Sequence, residues 1–208
     1  ILSFAVFWGI SVLTLGQLKV GGPIYQRIVQ SKDLVADILP PPEYIIESYL
    51  VALQMLGQND AAALASLADR CNTLKEEYAT RHDYWHNELD DAEMRTTLLD
   101  DSYKPAMAFY DILSNKFIPA LTAGDKDTAT ALAYGDLRKQ YEEHRAAIDR
   151  LVELATSRGG VDEKNASELV TFRSRILFVW GIAGIVVSLV FSIAIGLSIT
   201  RPIHRVIA

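Results

Sequence analysis

The sequence predicts an all-α protein: an up-down-up-down four-helix bundle whose first and last helices continue into transmembrane helices. Apolar residues recur at spacings of three and four through residues 19–175, which is the period of an amphipathic helix. No run of alternating apolar and polar residues bounded by turn residues indicates a strand. Uncharged apolar runs flank this region, so two candidate membrane spans frame the helical pattern.

The longer uncharged run covers residues 176–200. About 20 apolar residues are enough for a helix to cross a bilayer, so this run predicts a transmembrane helix. Residues 1–18 are also uncharged, and they lack a small-x-small cleavage site near their end. They are therefore predicted to form a truncated membrane helix rather than the apolar region of a signal peptide. Two spans would leave the middle of the chain on one side of the membrane and both ends on the other.

Apolar and aromatic seams predict the individual helices of the middle region. The last of these helices has the clearest seam, with members three and four positions apart that would pack into a bundle. Its members are Tyr134, Leu137, Tyr141, His144, Ile148, Leu151 and Ala155. A seam in the second helix includes Tyr78, Arg81 and Trp85, and one in the third includes Tyr103.

Turn residues separate these helices. Gly57-Gln-Asn-Asp60 precedes the second helix and Ala123-Gly124-Asp125 precedes the fourth. Asp125 or Asp127 is predicted to cap the fourth helix, because aspartate is a favoured N-cap residue. The second helix is predicted to end, and the third to begin, within residues 87–102. Four helices with short connections favour an up-down-up-down bundle.

The charge distribution argues against two classes of partner. The chain has 26 acidic and 20 basic residues, with the densest acidic run at residues 83–101. Acidic character of this kind argues against binding to nucleic acid or to the surface of an anionic membrane. The lone cysteine, Cys71, excludes a disulfide within the chain.

The sequence ADILPPPEYIIESY breaks the first predicted bundle helix at Pro40, Pro41 and Pro42. A proline inside a helix costs about 3 kcal/mol or more, because it removes a backbone N–H and clashes with the preceding turn. Counting about 1.5 Å per residue from one end of the bundle allows heights on the four helices to be compared. The residues predicted to share the level of the break are Arg81, Tyr103, Pro105 and His144.

This layer of polar and aromatic residues has two interpretations. In the structural one, Arg81 pairs with an internal carboxylate such as Glu43 or Glu47. His144 then hydrogen-bonds a tyrosine, and both contacts fix the helix register. In the functional one, the proline break widens the helix spacing, and Arg81 and His144 hold a small anion such as a carboxylate between aromatic walls. The candidate ligand-binding residues are Arg81, His144, Tyr103, Tyr78, Trp85, Tyr141, Glu43 and Tyr44.

Sequence motifs for catalysis or cofactor binding are absent. The chain contains no CxxCH haem motif, no glycine-rich phosphate loop and no arguable Ser-His-Asp pattern. His82 and His86 have the i, i+4 spacing of metal ligands, but no cysteine or HExxH pattern accompanies them, so they are predicted to be exposed. The sequence therefore predicts no catalytic residue, no metal and no cofactor, and a protein that is not an enzyme.

Gly159 and Gly160 lie in the fourth predicted helix. Glycine inside a helix is destabilising, because it loses more conformational freedom than other residues. The pair is therefore either a frayed or kinked turn or a flexible point in a segment that transmits motion.

The end of the second span and the residues after it, 198–208, read SITRPIHRVIA, and residues 199–203 match the proline-bearing start of the first helix of a HAMP domain. An uncharged span, an acidic helical bundle, a second span and this motif together resemble the N-terminal part of a bacterial methyl-accepting chemotaxis receptor. The architecture covers the whole chain, whereas the HAMP match covers only the beginning of that domain.

The resemblance implies a multi-pass protein of the bacterial inner membrane, with a periplasmic sensory bundle, a homodimeric state and a cytoplasmic continuation. In this family, the full-length receptor passes its signal to a cytoplasmic kinase through a coupling protein. The domains expected on this basis are a truncated first transmembrane helix at 1–18, the periplasmic four-helix bundle at 19–175, the second transmembrane helix at 176–200 and the start of HAMP at 201–208.

The expected function is that of a transmembrane signal-transduction receptor. A small solute, with an anion as the candidate, would bind the periplasmic bundle, and a helix displacement would pass through the second span to the HAMP segment. Two alternatives remain open. One is the sensor region of a histidine kinase or a diguanylate cyclase, and the other is a ligand-free, membrane-anchored helical scaffold.

Overall fold

The structure is a computed structural model that describes residues 2–39 and 44–207. Within these residues all regular secondary structure is helical, which confirms the predicted all-α class. The proline break at 40–42 and the candidate ligand-binding residue Glu43 lie outside the described residues.

The helices follow one another in the order α1 Leu2–Leu18, α2 Pro23–Ile38, α3 Ile46–Leu56, α4 Ala61–Glu88, α5 Ala92–Thr96, α6 Tyr103–Ile112, α7 Ile118–Thr122, α8 Lys126–Leu132 and α9 Arg138–Ile207. Short π-helical segments join some of them without a loop. Thr97–Ser102 links α5 to α6, Leu113–Phe117 links α6 to α7, and Ala133–Leu137 links α8 to α9. The chain from α5 to α7, and again from α8 to α9, is therefore continuously helical.

Aspartate side chains begin α4 and α8 where the turn residues predict a boundary. Asp60 Oδ1 accepts a hydrogen bond from the Ala62 N–H over 3.0 Å, and Asp125 Oδ1 accepts one from the Thr128 N–H over 3.0 Å. Both bonds satisfy backbone donors that the first turn of a helix leaves without a partner. The predicted cap at Asp125 is confirmed, and the boundary between the second and third predicted helices lies between Glu88 and Ala92.

The chain divides into two compact units. One consists of residues 29–159 and contains the buried core; the other consists of residues 1–28 and 160–208. In the first unit, the seam of the last helix is buried as predicted at Leu137, Tyr141, His144, Ile148, Leu151 and Ala155. The prediction is wrong for Tyr134, which is 58% exposed.

The second unit contains a long apolar segment of α9. Its large side chains are mostly exposed, with Phe178 at 70% and Phe191 at 64%. Among the described helices, one, which contains this segment, is long and apolar enough to cross a membrane by its length and composition. The helix that contains residues 5–17 is also apolar but shorter. In the same unit Arg27 Nη2 lies 3.1 Å from Asp162 Oδ1.

Candidate functional site

Tyr44 and Tyr141 join the start of α3 to α9. Their hydroxyl oxygens lie 2.8 Å apart, which is a hydrogen bond, and their rings stack with centroids 6.0 Å apart. Tyr49, on α3, stacks on the same Tyr141 ring at 5.0 Å. Burial raises the pKa of Tyr44, and the hydrogen bond to Tyr141 raises it further. Tyr44 is therefore a neutral phenol at neutral pH.

His144 lies on α9 and is 0% exposed. Its Nδ1 is 2.9 Å from the backbone carbonyl oxygen of Ser102. A carbonyl oxygen can only accept a hydrogen bond, so Nδ1 carries a proton and donates a hydrogen bond to the Ser102 oxygen. The imidazole ring stacks at 6.1 Å from Tyr44 and meets the ring of Tyr78 edge to face at 6.1 Å.

The carbonyl of Ser102 ends the π-helical segment Thr97–Ser102. Pro105 follows in the first turn of α6, where it provides no N–H and where a proline ring would clash with the carbonyl four residues earlier. A regular α-helix is disfavoured at such a position, and single widened turns are the usual form of π-helix. The Ser102 hydroxyl donates to the Leu98 carbonyl over 2.7 Å within this segment. The same residue therefore stabilises the widened turn and provides the acceptor for His144.

Tyr78, on α4, is fully buried and lies at the centre of the aromatic contacts. Its ring stacks on Tyr103 at 6.2 Å and on His82 at 6.4 Å, and it lies 6.1 Å from Tyr110. His82 in turn stacks on Tyr103 at 4.0 Å. We refer to these connected rings as the ring cluster, and its members are Tyr44, Tyr49, Tyr78, His82, Tyr103, Tyr110, Tyr141 and His144.

Asp37, near the end of α2, contacts two side chains of α4. The guanidinium of Arg81 contacts Asp37 Oδ2, and the Trp85 Nε1–H donates to the same oxygen over 2.8 Å. The Arg81 guanidinium also lies over the ring of Tyr84, 4.5 Å from its centre, in cation–π geometry. A single carboxylate therefore fixes the end of α2 against α4.

The carboxylate that Arg81 contacts within the described residues is thus Asp37, and of the two carboxylates predicted for it, Glu43 lies outside those residues. Glu47 is unsuitable because Arg70 binds it, with Nη2 2.7 Å from Oε1. Arg70 precedes Arg81 by eleven positions on α4, which is about 16 Å along a helix. Glu47 therefore contacts a different level of α4.

The candidate residues thus fall into two groups of contacts. Five of the candidates belong to the ring cluster, namely Tyr44, Tyr78, Tyr103, Tyr141 and His144, whereas Arg81 and Trp85 meet at Asp37. Sequence reasoning missed the contributions of Asp37, Ser102 and His82. Asp37 could have been noticed, because it precedes Ile38 and follows Leu34 by three positions, beside an apolar seam.

The ring cluster and the Asp37 contacts contain groups that hydrogen-bond and stack. The cluster contains phenol hydroxyls and imidazole rings. Arg81 Nε is buried, and within residues 2–39 and 44–207 it has no hydrogen-bond partner. Since a guanidinium carries five N–H donors, Arg81 can bind Asp37 and still donate to a second acceptor.

The histidines of α4 differ from the prediction at one position. His86 is exposed as expected, but the prediction is wrong for His82, whose side chain is 13% exposed. Stacking on Tyr103 accounts for this burial, and burial lowers the pKa of His82. Within the described part of the chain, no three His, Cys, Asp or Glu side chains converge as metal ligands would.

No protein-family model, curated protein or solved structure matches the chain.

Proposed function

We propose that the chain is the sensory part of a transmembrane signal-transduction receptor of the chemotaxis-transducer type, and that it has no catalytic residues of its own. The observation that carries the proposal is the composition of α9. This helix of 70 residues includes His144 and Tyr141 of the ring cluster and also the exposed apolar segment that contains Phe178 and Phe191. A helix of that kind can bear a binding site and a membrane span without an intervening loop.

The sensory unit is proposed to be an up-down-up-down four-helix bundle. Its first helix would be α2 followed by α3, its second α4, its third α5 to α7, and its fourth α8 to α9. Support comes from the two clusters of buried side chains found within the described residues. One contains Val51, Leu74, Phe109 and Leu137, and the other contains Leu34, Trp85, Leu98 and Leu151. Each cluster thus takes residues from all four proposed helices.

The solute is proposed to bind beside Arg81 and the ring cluster, with a small anion as the candidate. The buried Nε–H of Arg81 is a suitable donor, and charge-assisted hydrogen bonds to carboxylates are stronger than neutral ones. Tyr78 and Tyr103 would supply apolar walls. Binding that favours one helix arrangement over another would shift the population of α9 positions.

The membrane arrangement is proposed by analogy with the resembled family. Residues 1–18 and 176–200 would be the two spans, the bundle would be periplasmic in the bacterial inner membrane, and HAMP would begin at residue 201. The receptor would act as a homodimer and reach a cytoplasmic kinase through a coupling protein.

The second candidate is a ligand-free scaffold, and the pairing of Arg81 with Asp37 favours it. An arginine that is already paired with a carboxylate can fix the register of two helices without binding a solute. Thermal unfolding of the full chain in lipid nanodiscs, against organic acids, amino acids and inorganic anions, separates the two candidates. A receptor predicts a solute whose saturating concentration raises Tm, because ligands that bind only the folded state stabilise it. A flat response across the library would support the scaffold.

Variants of Arg81 locate the site of any such solute. Arg81→Lys keeps a cation beside Asp37 but removes the guanidinium, so the solute-dependent rise in Tm should fall. Arg70→Lys is the matched control, because Arg70 pairs with Glu47 outside the candidate residues.

A chimera of the chain with the HAMP and kinase-control regions of a chemotaxis receptor tests the output. Solute-dependent kinase activity in membrane vesicles is expected, and kinase activity that ignores a bound solute would contradict the receptor.

A further inference from the structure

We propose that a cavity between the start of α4 and the end of α7 binds a small carboxylic acid with a short apolar chain. The cavity has a volume of about 380 Å³, within the range of small-molecule sites. It is separate from the ring cluster, since Tyr78 lies ten residues beyond the lining residue Ala68, about 15 Å along α4. This inference goes beyond the proposed receptor function and does not depend on it.

The floor of the cavity is apolar. Leu64 and Ala68 of α4 face Ile118 and Leu121 of α7 across it. These four side chains belong to, or pack against, the buried core, so the floor is held by surrounding structure. Ala65 completes the α4 side, and the small alanine side chains leave the space that larger ones would fill. An apolar chain in this space would be removed from water.

The rim carries the cation Lys126. Its Nζ donates to Asn59 Oδ1 over 2.6 Å, which uses one of its three donors. Within the described residues the ammonium makes no ion pair with a carboxylate. The carboxylate of Asp60, also on the rim, accepts from the Ala62 N–H and so caps α4. The positive charge of Lys126 therefore remains available to an anionic group.

These observations define the chemistry of the ligand. A carboxylate fits because it can accept charge-assisted hydrogen bonds from the Lys126 ammonium. The chain attached to it would lie over Leu64 and Leu121, which belong to the apolar floor. The same chemistry occurs at the C-terminus of a peptide, and we assign the cavity to a free small acid.

Alanine methyl groups report directly on this cavity. The full chain, with ¹³C-labelled alanine methyls and embedded in lipid nanodiscs, is titrated with sodium butyrate while NMR spectra are recorded. Saturable shifts are expected for Ala65 and Ala68. Sodium chloride and butylammonium chloride should produce none, because they lack the carboxylate or the negative charge. N-acetylvalylvaline tests the peptide source, and it should bind more weakly than butyrate.

Two pairs of variants test the assignment. Lys126→Met should weaken butyrate binding several-fold, because the carboxylate loses its charge-assisted hydrogen bond to an exposed ammonium. Lys116→Met, an exposed lysine outside the cavity, should leave Kd unchanged. Ala65→Leu should fill the cavity and abolish the saturable shift at Ala68, whereas Ser66→Leu on the same exposed turn should not.

The proposal is overturned by any of four results. These are the absence of saturable alanine shifts with butyrate, equal binding of butylammonium, an unchanged Kd in Lys126→Met, and tighter binding of the peptide than of butyrate. None of these results bears on Arg81 or on the receptor test, so the two proposals fail separately.

Discussion

Asp37 accepts a hydrogen bond from the Trp85 Nε1–H over 2.8 Å. The same carboxylate oxygen contacts the guanidinium of Arg81, so one side chain of α2 holds two of α4. Asp37 and Arg81 are both partly buried. Removing one side chain of this ion pair leaves the other charge without its partner, which lowers stability. The end of α2 is therefore fixed immediately before the segment 40–43.

Replacing Asp37 should destabilise the fold. Asp37→Ala removes the acceptor for both Arg81 and Trp85, and we expect the free energy of unfolding to fall by about 1.5–3 kcal/mol. Urea denaturation of the full chain in detergent micelles measures it. Glu93→Ala is the control, because Glu93 and Arg150 form an exposed pair and exposed pairs contribute about 0–1 kcal/mol. Equal losses of unfolding free energy in both variants would show that Asp37 contributes no more to stability than an exposed ion pair.

The pH dependence of stability should reflect Tyr44. Burial raises its pKa above the ordinary value of 10.0, so above that pH the unfolded chain loses a proton that the folded chain keeps. Tyr44 therefore contributes stability below pH 10, and this contribution is lost as the pH rises through the folded pKa. In Tyr44→Phe the free energy of unfolding should fall less steeply above pH 10.

Urea denaturation at a series of alkaline pH values measures how the free energy of unfolding changes with pH in the wild type, in Tyr44→Phe and in a control variant. Tyr134→Phe is the matched control, because Tyr134 is 58% exposed and lies outside the ring cluster. Parallel slopes for the wild type and Tyr44→Phe would contradict the assignment to Tyr44.

The helices were predictable from the sequence to the extent that burial follows a period. Ile148 and Leu151 are buried as their spacing indicates, because a helix against a core must bury one face. The prediction was wrong for Tyr134, because the spacing of apolar residues defines one face of a helix but not how far along the helix other helices pack against that face.

The contacts of the candidate site were less predictable. Counting residues gives height on a helix but not rotation, and Asp37 and Glu47 lie on separate helices, since α2 ends at Ile38 and α3 begins at Ile46. For this reason the carboxylate that meets Arg81 could not be chosen from the sequence. The contact between His144 and the Ser102 carbonyl also depends on a π-helical turn, and a regular helical period does not predict one.

His144 should stabilise the fold through its Nδ1–H. His144→Leu removes the donor to the buried Ser102 carbonyl, and leaving such an acceptor without a partner costs about 1–3 kcal/mol. His144→Asn places an amide nitrogen at the same number of bonds from Cα, so it should recover part of this loss. The free energies of unfolding of the three proteins, measured in urea, provide the comparison. Equal stability of the Leu and Asn variants would show that the hydrogen bond is not what His144 contributes.

Gly159 and Gly22 should respond in opposite directions to alanine. A Cβ at Gly159, in the interior of α9, would meet Ser31 Cβ at 3.5 Å, an ordinary contact, so Gly159→Ala should stabilise the chain by about 0.5–1 kcal/mol. A Cβ at Gly22 would lie 2.6 Å from the Gln17 carbonyl oxygen, so Gly22→Ala must displace backbone and should lower Tm. Thermal unfolding followed by circular dichroism measures both variants. If Gly159→Ala stabilises the chain but weakens a solute response in the receptor chimera, the glycine is a flexible point of transmission rather than a tolerated defect in the helix.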